Sequence, residues 1–149
     1  MKTFFVTIFL TTGFFAVAQS PVAWSYKAMK TGTNSYEVHV TATIPEGWHL
    51  YAQQQPKDAI ALPTVISFRQ NPLLVFTGKP REDGKLQKIT SPGLGISAWQ
   101  YTGTVDFVEQ VKRKAAVKTT INGMIQFQVC TDEKCLPQTK QAFSIAIGD

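Results

Sequence analysis

The stretch SYEVHVTATI, residues 35–44, predicts the fold class of this chain. Apolar and polar residues alternate along it, and a period of two places each set on one face of a half-buried strand. The apolar set is Tyr36, Val38, Val40, Ala42 and Ile44. We therefore predict a β-strand with one face in a core.

The same alternation recurs elsewhere in the chain. VAWSYKAM (22–29) precedes the first stretch, and KTGTN (30–34) supplies the Gly and Asn of a hairpin turn between them. Further strands are predicted at 64–69, 73–78, 99–111, 115–130 and 141–147. Pro and Gly separate these strands and no stretch has a sustained helical period. The 149 residues therefore predict one all-β domain, an antiparallel β-sandwich.

Two segments do not fit simple strands. Asn122-Gly123 interrupts the 115–130 run, and we favour a β-bulge there over a hairpin turn. Residues 78–98 are polar and rich in Gly and Pro, so they predict a long loop. Long loops in compact domains are often functional lids, and a surface excursion fits this composition equally well.

The first residues predict a secretory signal peptide over 1–18, followed by the domain at 19–149. Lys2 precedes an uncharged apolar run, and Ala16-Val17-Ala18 has the small-x-small pattern of a cleavage site. A membrane anchor is the alternative, but the run has only about 14 residues where a span needs about 20. We therefore expect an exported module with no membrane span in the mature chain.

Charge and histidines exclude several function classes. The net charge is +5, and the basic residues form no stripe with interleaved aromatics, so nucleic-acid binding is not predicted. The two histidines and two cysteines match no common zinc module, so no metal site is predicted. His39 is expected on the outer face of its strand. His49 is interpreted as a loop residue, the alternative being a place near the thiols.

The only cysteines, Cys130 and Cys135, have two interpretations. A turn can bring them within the roughly 7 Å between Cα atoms that a disulfide needs, but so small a ring stabilises by only about 2 kcal/mol. A reactive pair needs an accessible thiolate, which Asp132 and Glu133 disfavour and Lys134 favours. Composition and spacing alone favour the structural staple slightly.

Two stretches shift this balance. The stretches EGWHLYAQQQ (46–55) and CTDEKCLPQTKQAFSI (130–145) resemble parts of the N-terminal domain of the DsbD family. Members of this family are bacterial transmembrane thiol–disulfide reductases. The resemblance extends from about Trp24 to Ile147. It implies an immunoglobulin-like sandwich in the periplasm whose cysteine pair passes reducing equivalents to other proteins.

The resemblance also implies roles for individual residues. Cys135 would form the mixed disulfide with a partner and Cys130 would resolve it, a reaction that needs no cofactor. Trp48 and Tyr51 fall where family aromatics lie near the site, with core packing as the plainer explanation. In the family an aromatic cap loop shields the cysteines. Residues 81–98 here have no Phe or Tyr, so Leu86, Leu94 or Ile96 would have to shield them.

Two functions follow as hypotheses. The first is a monomeric periplasmic thiol–disulfide carrier serving thioredoxin-like partners, with a membrane electron donor of the DsbD type because the family's membrane part is missing from this sequence. Its activity would be of the protein-disulfide reductase type. The second is a non-catalytic immunoglobulin-like binding module with a structural disulfide, because a fold alone does not determine function. Its candidate contact residues are Trp24, Trp48, Trp99 and Tyr101.

Overall fold

The computed structural model describes residues 20–91 and 96–148, and the predicted signal peptide lies outside them. The described residues form twelve β-strands and no helix. The strands are β1 (Ala23–Lys30), β2 (Ser35–Ile44), β3 (His49–Tyr51), β4 (Val65–Phe68), β5 (Leu74–Phe76), β6 (Arg81–Gly84), β7 (Gln87–Ser91), β8 (Ile96–Tyr101), β9 (Gly103–Arg113), β10 (Thr119–Phe127), β11 (Val129–Cys130) and β12 (Thr139–Ile147). No membrane-spanning helix is present among these residues.

The strands form three antiparallel sheets. The largest has the order β1-β2-β9, with β5 and β6 both paired to the far edge of β9. The second has the order β12-β10-β4, and we call these two sheets the sandwich body. The third, which we call the end sheet, has the order β11-β3-β8-β7. The predicted fold class, an immunoglobulin-like antiparallel β-sandwich, is confirmed.

The core lies between the two sheets of the sandwich body and continues into the end sheet, where Leu50, Tyr101 and Val129 are buried. Every second residue of β2 and β9 is buried, as the alternation in the sequence predicts. Trp24 of β1 joins the sheets, because its ring centroid lies 6.1 Å from that of Phe107 in β9 and 5.1 Å from that of Phe127 in β10. Burying such rings contributes a large share of the hydrophobic stabilisation.

The far edge of β9 is filled by two short strands with a break between them. β5 pairs with residues 111–113 and β6 with residues 105–108. At the break, the buried carboxylate of Glu109 accepts hydrogen bonds from the Thr77 and Gly78 backbone N–H groups, at 2.7 and 3.0 Å, and from the Thr77 hydroxyl at 2.9 Å. These bonds satisfy a carboxylate that would be costly to bury alone.

Three sequence predictions about strands are wrong. Residues 99–111 are not one strand, because Gly103 has a φ of +71° and the chain turns there between β8 and β9. Residues 78–98 are not one long loop, because they contain β6, β7 and the start of β8. The 115–130 run divides into β10 and β11.

Asn122-Gly123 is neither a bulge nor a turn. β10 pairs without interruption with β12 on one side and β4 on the other. Phe143 lies directly across from Gly123, and a Cβ at Gly123 would overlap the Phe143 ring and lie 2.8 Å from the Ser67 carbonyl oxygen. The glycine is there because a neighbouring ring needs the space.

Candidate functional site

The two cysteines lie on opposite arms of a tight hairpin. The Leu136 N–H donates to the Val129 carbonyl at 3.0 Å, just outside the pair. Cys130 and Cys135 themselves form an isolated antiparallel bridge. The backbone therefore holds the two cysteines face to face.

Thr131 organises the turn that closes this hairpin. Its N–H donates to the Lys134 carbonyl at 2.8 Å. Its hydroxyl oxygen accepts hydrogen bonds from the Glu133 and Lys134 N–H groups at 3.2 and 3.1 Å. Threonine favours such turns because its hydroxyl bonds to nearby backbone groups. The charged turn residues Asp132, Glu133 and Lys134 are exposed.

The cysteines form a disulfide in this structure, with Cα atoms 4.0 Å apart. Their environments differ. Cys130 belongs to β11, pairs with β3 and is 1% exposed. Cys135 lies on the outer arm of the hairpin and is exposed. A molecule approaching from solvent therefore contacts Cys135 and not Cys130.

His49 was interpreted from sequence as a loop residue, and that interpretation is wrong. It is the first residue of β3, is 8% exposed and lies directly across from Cys130 in the β11–β3 pair. The alternative, a place near the thiols, is what the structure has. The sequence pattern could have predicted this strand, because the apolar Leu50 lies between the more polar His49 and Tyr51.

Tyr51 and Trp48 lie on either side of His49 in the chain. The Tyr51 ring meets the His49 ring edge-on, with centroids 5.3 Å apart and the hydroxyl 3.4 Å from Nε2. Burial raises the pKa of Tyr51, so its hydroxyl stays protonated at neutral pH. Trp48 is half-buried and packs against the core. Tyr51 thus neighbours the cysteine site through His49.

The other two predicted shielding residues are not described at the level of their side chains. Leu94 lies outside the described residues, and Ile96 is described only as the first residue of β8. Leu86 lies in the turn between β6 and β7 and is 38% exposed. The β7–β8 pair is part of the same sheet as β11 and β3. Shielding of the cysteines by residues 81–98 stays a prediction.

A groove of about 530 Å³ opens beside the hairpin. Its lining residues come from the end of β2, the turn before β3, the end sheet, the start of β9 and the hairpin turn. They are Ile44, Pro45, Glu46, Gly47, Trp48, His49, Gln87, Gln100, Thr102, Gly103 and Asp132. Burial lowers the pKa of His49, and the negative charge of Asp132 partly offsets this. The imidazole is therefore neutral at pH 7 and above.

His39 lies away from this site. It is on the opposite face of β2 from Val38, as predicted, but its side chain is only 15% exposed. Its Nδ1 lies 2.6 Å from the Asp106 carboxylate, which also accepts a hydrogen bond from the Thr41 hydroxyl at 2.9 Å. In the described part of the chain, no three His, Cys, Asp or Glu side chains are grouped as metal ligands.

Solved structures similar to this one include N-terminal domains of the proteins ScsB and DsbD. The N-terminal periplasmic domain of ScsB from Proteus mirabilis has a TM-score of 0.58 at 14% identity; the match covers 91% of this chain and 48% of that one, so this chain spans about half its length. The reduced DsbD N-terminal domain of Neisseria meningitidis has a TM-score of 0.52 at 16% identity and coverages of 85% and 87%.

A third similar structure is the complex between the DsbD N-terminal and PilB N-terminal domains of Neisseria meningitidis, with a TM-score of 0.51, 14% identity and coverages of 89% and 88%. At such identities, these likenesses show the fold alone. No curated protein sequence matches the chain. A family model does match, over residues 16–147, and its description is thiol:disulfide interchange protein DsbD, N-terminal. The chain belongs to this family of DsbD N-terminal domains.

Proposed function

We propose that this protein is a thiol–disulfide interchange protein that carries reducing equivalents on Cys130 and Cys135. The observation that supports this best is the asymmetry of the pair, one cysteine exposed and the other 1% exposed. Thiol–disulfide exchange needs one sulfur that a partner can reach and a second that completes the reaction. A purely structural bond has no need of this difference.

The reaction has two steps. The Cys135 thiolate attacks one sulfur of a partner disulfide, a mixed disulfide forms, and the partner's other sulfur leaves as a thiolate. Cys130 then loses its proton and attacks Cys135 Sγ, which breaks the mixed disulfide. The partner gains two electrons and two protons in all, and the Cys130–Cys135 disulfide forms. No cofactor is required.

The partners follow from the family. A DsbD N-terminal domain forms a complex with a PilB N-terminal domain, which supports protein partners for this chain as well. We expect thioredoxin-like proteins as the acceptors and a membrane electron donor of the DsbD type as the source of electrons. The related ScsB domain is periplasmic. We accordingly propose a periplasmic monomer of residues 19–149, exported by a cleaved signal peptide.

The exposed residues around the hairpin are the expected docking surface. Tyr51 and Trp48 are the proposed contact or shielding residues, since Tyr51 contacts His49 and Trp48 lines the groove beside it. Leu94 and Ile96 are proposed for the same role from the sequence. Docking would supply most of the selectivity, because the rate of exchange depends on the thiolate fraction of the attacking cysteine and on access.

The test is to trap the mixed disulfide with the Cys130→Ser variant. Without the resolving sulfur, Cys135 should hold an oxidised thioredoxin-like protein as a covalent adduct that thiol reductants release. The adduct is read on a non-reducing gel. The matched control is Cys135→Ser, which keeps only the buried Cys130 and should form no adduct.

An inert structural disulfide would give the opposite results. The Cys130→Ser variant would then react with dipyridyl disulfide, a small and reactive probe, but would form no adduct with an oxidised thioredoxin-like protein. The reduction potential of the wild-type pair would also lie below about −300 mV, the range of structural bonds in exported proteins. Either result would favour the binding-module hypothesis.

A further inference from the structure

Cys130 needs a neighbour to accept its proton, if the proposed function holds. It is 1% exposed, so water cannot readily accept the proton that its thiol must lose before it attacks Cys135. Burial in apolar surroundings also raises a thiol pKa, because the charged thiolate is poorly solvated there. Resolution of the mixed disulfide would therefore be slow unless a base lies beside Cys130.

His49 occupies that position. The two residues are direct partners in the β11–β3 pair, so their side chains lie on the same face of the end sheet. Directly opposed residues in antiparallel strands have Cβ atoms about 4.5–5.5 Å apart. The imidazole is held by its edge contact with the Tyr51 ring on the same strand. It is thus a fixed neighbour of Cys130.

His49 also connects the buried cysteine to solvent. The side chain lines the groove beside the hairpin, together with Glu46 and Asp132. A proton taken up at the imidazole can therefore leave to water in the groove. The cysteine has no such outlet of its own, because it is fully buried.

We propose that His49 is the general base that accepts the Cys130 proton during resolution of the mixed disulfide. This inference rests on the proposed function. In the step, the proton passes from Cys130 to the imidazole, Cys130 Sγ bonds to Cys135 Sγ, and the bond from Cys135 to the partner breaks. The partner sulfur leaves as a thiolate with the electron pair and takes a proton from water. His49 then loses its proton to the groove.

The charges around His49 suit this role. Burial lowers its pKa, so the imidazole is unprotonated at neutral pH and free to accept. Asp132 faces it from the hairpin turn and stabilises the imidazolium that forms. Glu46 lines the same groove from the turn before β3, and Tyr51 on β3 stays neutral. On the β8 side the groove is lined by the uncharged Gln100 and Thr102.

The experiment separates the two steps with dithiobis(nitrobenzoate), which releases one coloured thiolate per step. The reduced wild-type protein should release the first when Cys135 attacks and the second when Cys130 resolves. In His49→Gln the first phase should be unchanged. The second should slow by about 100-fold at pH 7, the usual contribution of a general base. The deficit should shrink as the pH rises, because hydroxide then ionises Cys130 directly.

His39→Gln is the matched control. His39 is the other histidine of the chain, lies on the outer face of β2 and contacts Asp106 of β9. It should leave both phases unchanged. The inference is overturned if His49→Gln resolves as fast as wild type, or if both phases slow equally, because His49 then does not act selectively on Cys130. If the wild type itself releases no thiolate, the proposed function fails, and that outcome differs from a selective defect in the second phase.

Discussion

The sandwich body and the end sheet differ in the length of their paired strands. In the body, β2 pairs with β9 over ten consecutive residues, Ser35–Ile44, and the inner faces are closed by large aromatic and branched side chains. In the end sheet, β11 and β3 pair over two residues, β3 and β8 over two, and β7 and β8 over five. Long registered strands provide stability, whereas short strands between turns leave room for an exposed cysteine. The difference places the longest strand pairs in the body and the cysteine pair in the end sheet.

The largest effect should come from the body. Phe107 is fully buried between the sheets and contacts Trp24, so Phe107→Ala should lower the free energy of unfolding by about 3–5 kcal/mol. Urea denaturation measures this loss. Met124→Ala on the exposed face of β10 is the control and should change stability by no more than about 0.5 kcal/mol. Equal losses in the two variants would contradict the placement of the core.

A second, intermediate effect should arise where the two regions meet. Tyr101 of β8 is buried, and burial, the Glu82 charge and a hydrogen bond to Glu82 of β6 raise its pKa from 10.0 to about 12. The folded protein therefore holds this proton more tightly than the unfolded chain does. The resulting stabilisation is complete below pH 10 and is lost as the pH rises toward 12, by about 1.4 kcal/mol per pH unit.

Tyr101→Phe provides the comparison for this pH effect. The variant has no hydroxyl to ionise, so its stability should fall less steeply between pH 10 and 12 than that of the wild type. Urea denaturation at several pH values in this interval measures both slopes. Parallel slopes would show that Tyr101 ionises as easily in the folded protein as in the unfolded chain.

The smallest effect should come from the end sheet. Reducing the Cys130–Cys135 disulfide opens a ring closed by a sequence separation of only five, so the loss in stability should not exceed about 2 kcal/mol. Urea denaturation with and without dithiothreitol measures it, with the double Cys→Ala variant as a control that dithiothreitol should not affect. If reduction unfolded the body, the assignment of most of the stability to the body would be wrong.

The body was largely predictable from sequence, and the reason is local. The alternation in 35–44 marks β2 with its observed bounds, and 22–29 lies within one residue of β1. Long strands with one buried face carry a signal in every second residue. The errors arose where the role of a residue depends on a contact with a distant part of the chain. Gly123 signals no turn because its role is to make room for Phe143, which is distant in the chain.

The end sheet and the far edge of the body were less predictable, because most of their strands are short. Residues 81–84 read REDG, which has no apolar face, yet β6 forms since β9 offers it a free edge. The cysteine pair and its family were visible from the motif. The neighbour of Cys130 was not, because the pairing of β11 with β3 joins distant parts of the chain.

The hairpin hydrogen bonds on either side of the disulfide have one more consequence. The Leu136–Val129 and Thr131–Lys134 backbone bonds do not depend on sulfur chemistry, so they can keep the two thiols adjacent after reduction. Reacting groups held this way act at effective concentrations far above any free thiol in solution. Under the proposed function, a partner bound to Cys135 would then be released before a competing dithiol reacts with the mixed disulfide, and each encounter would transfer two electrons together.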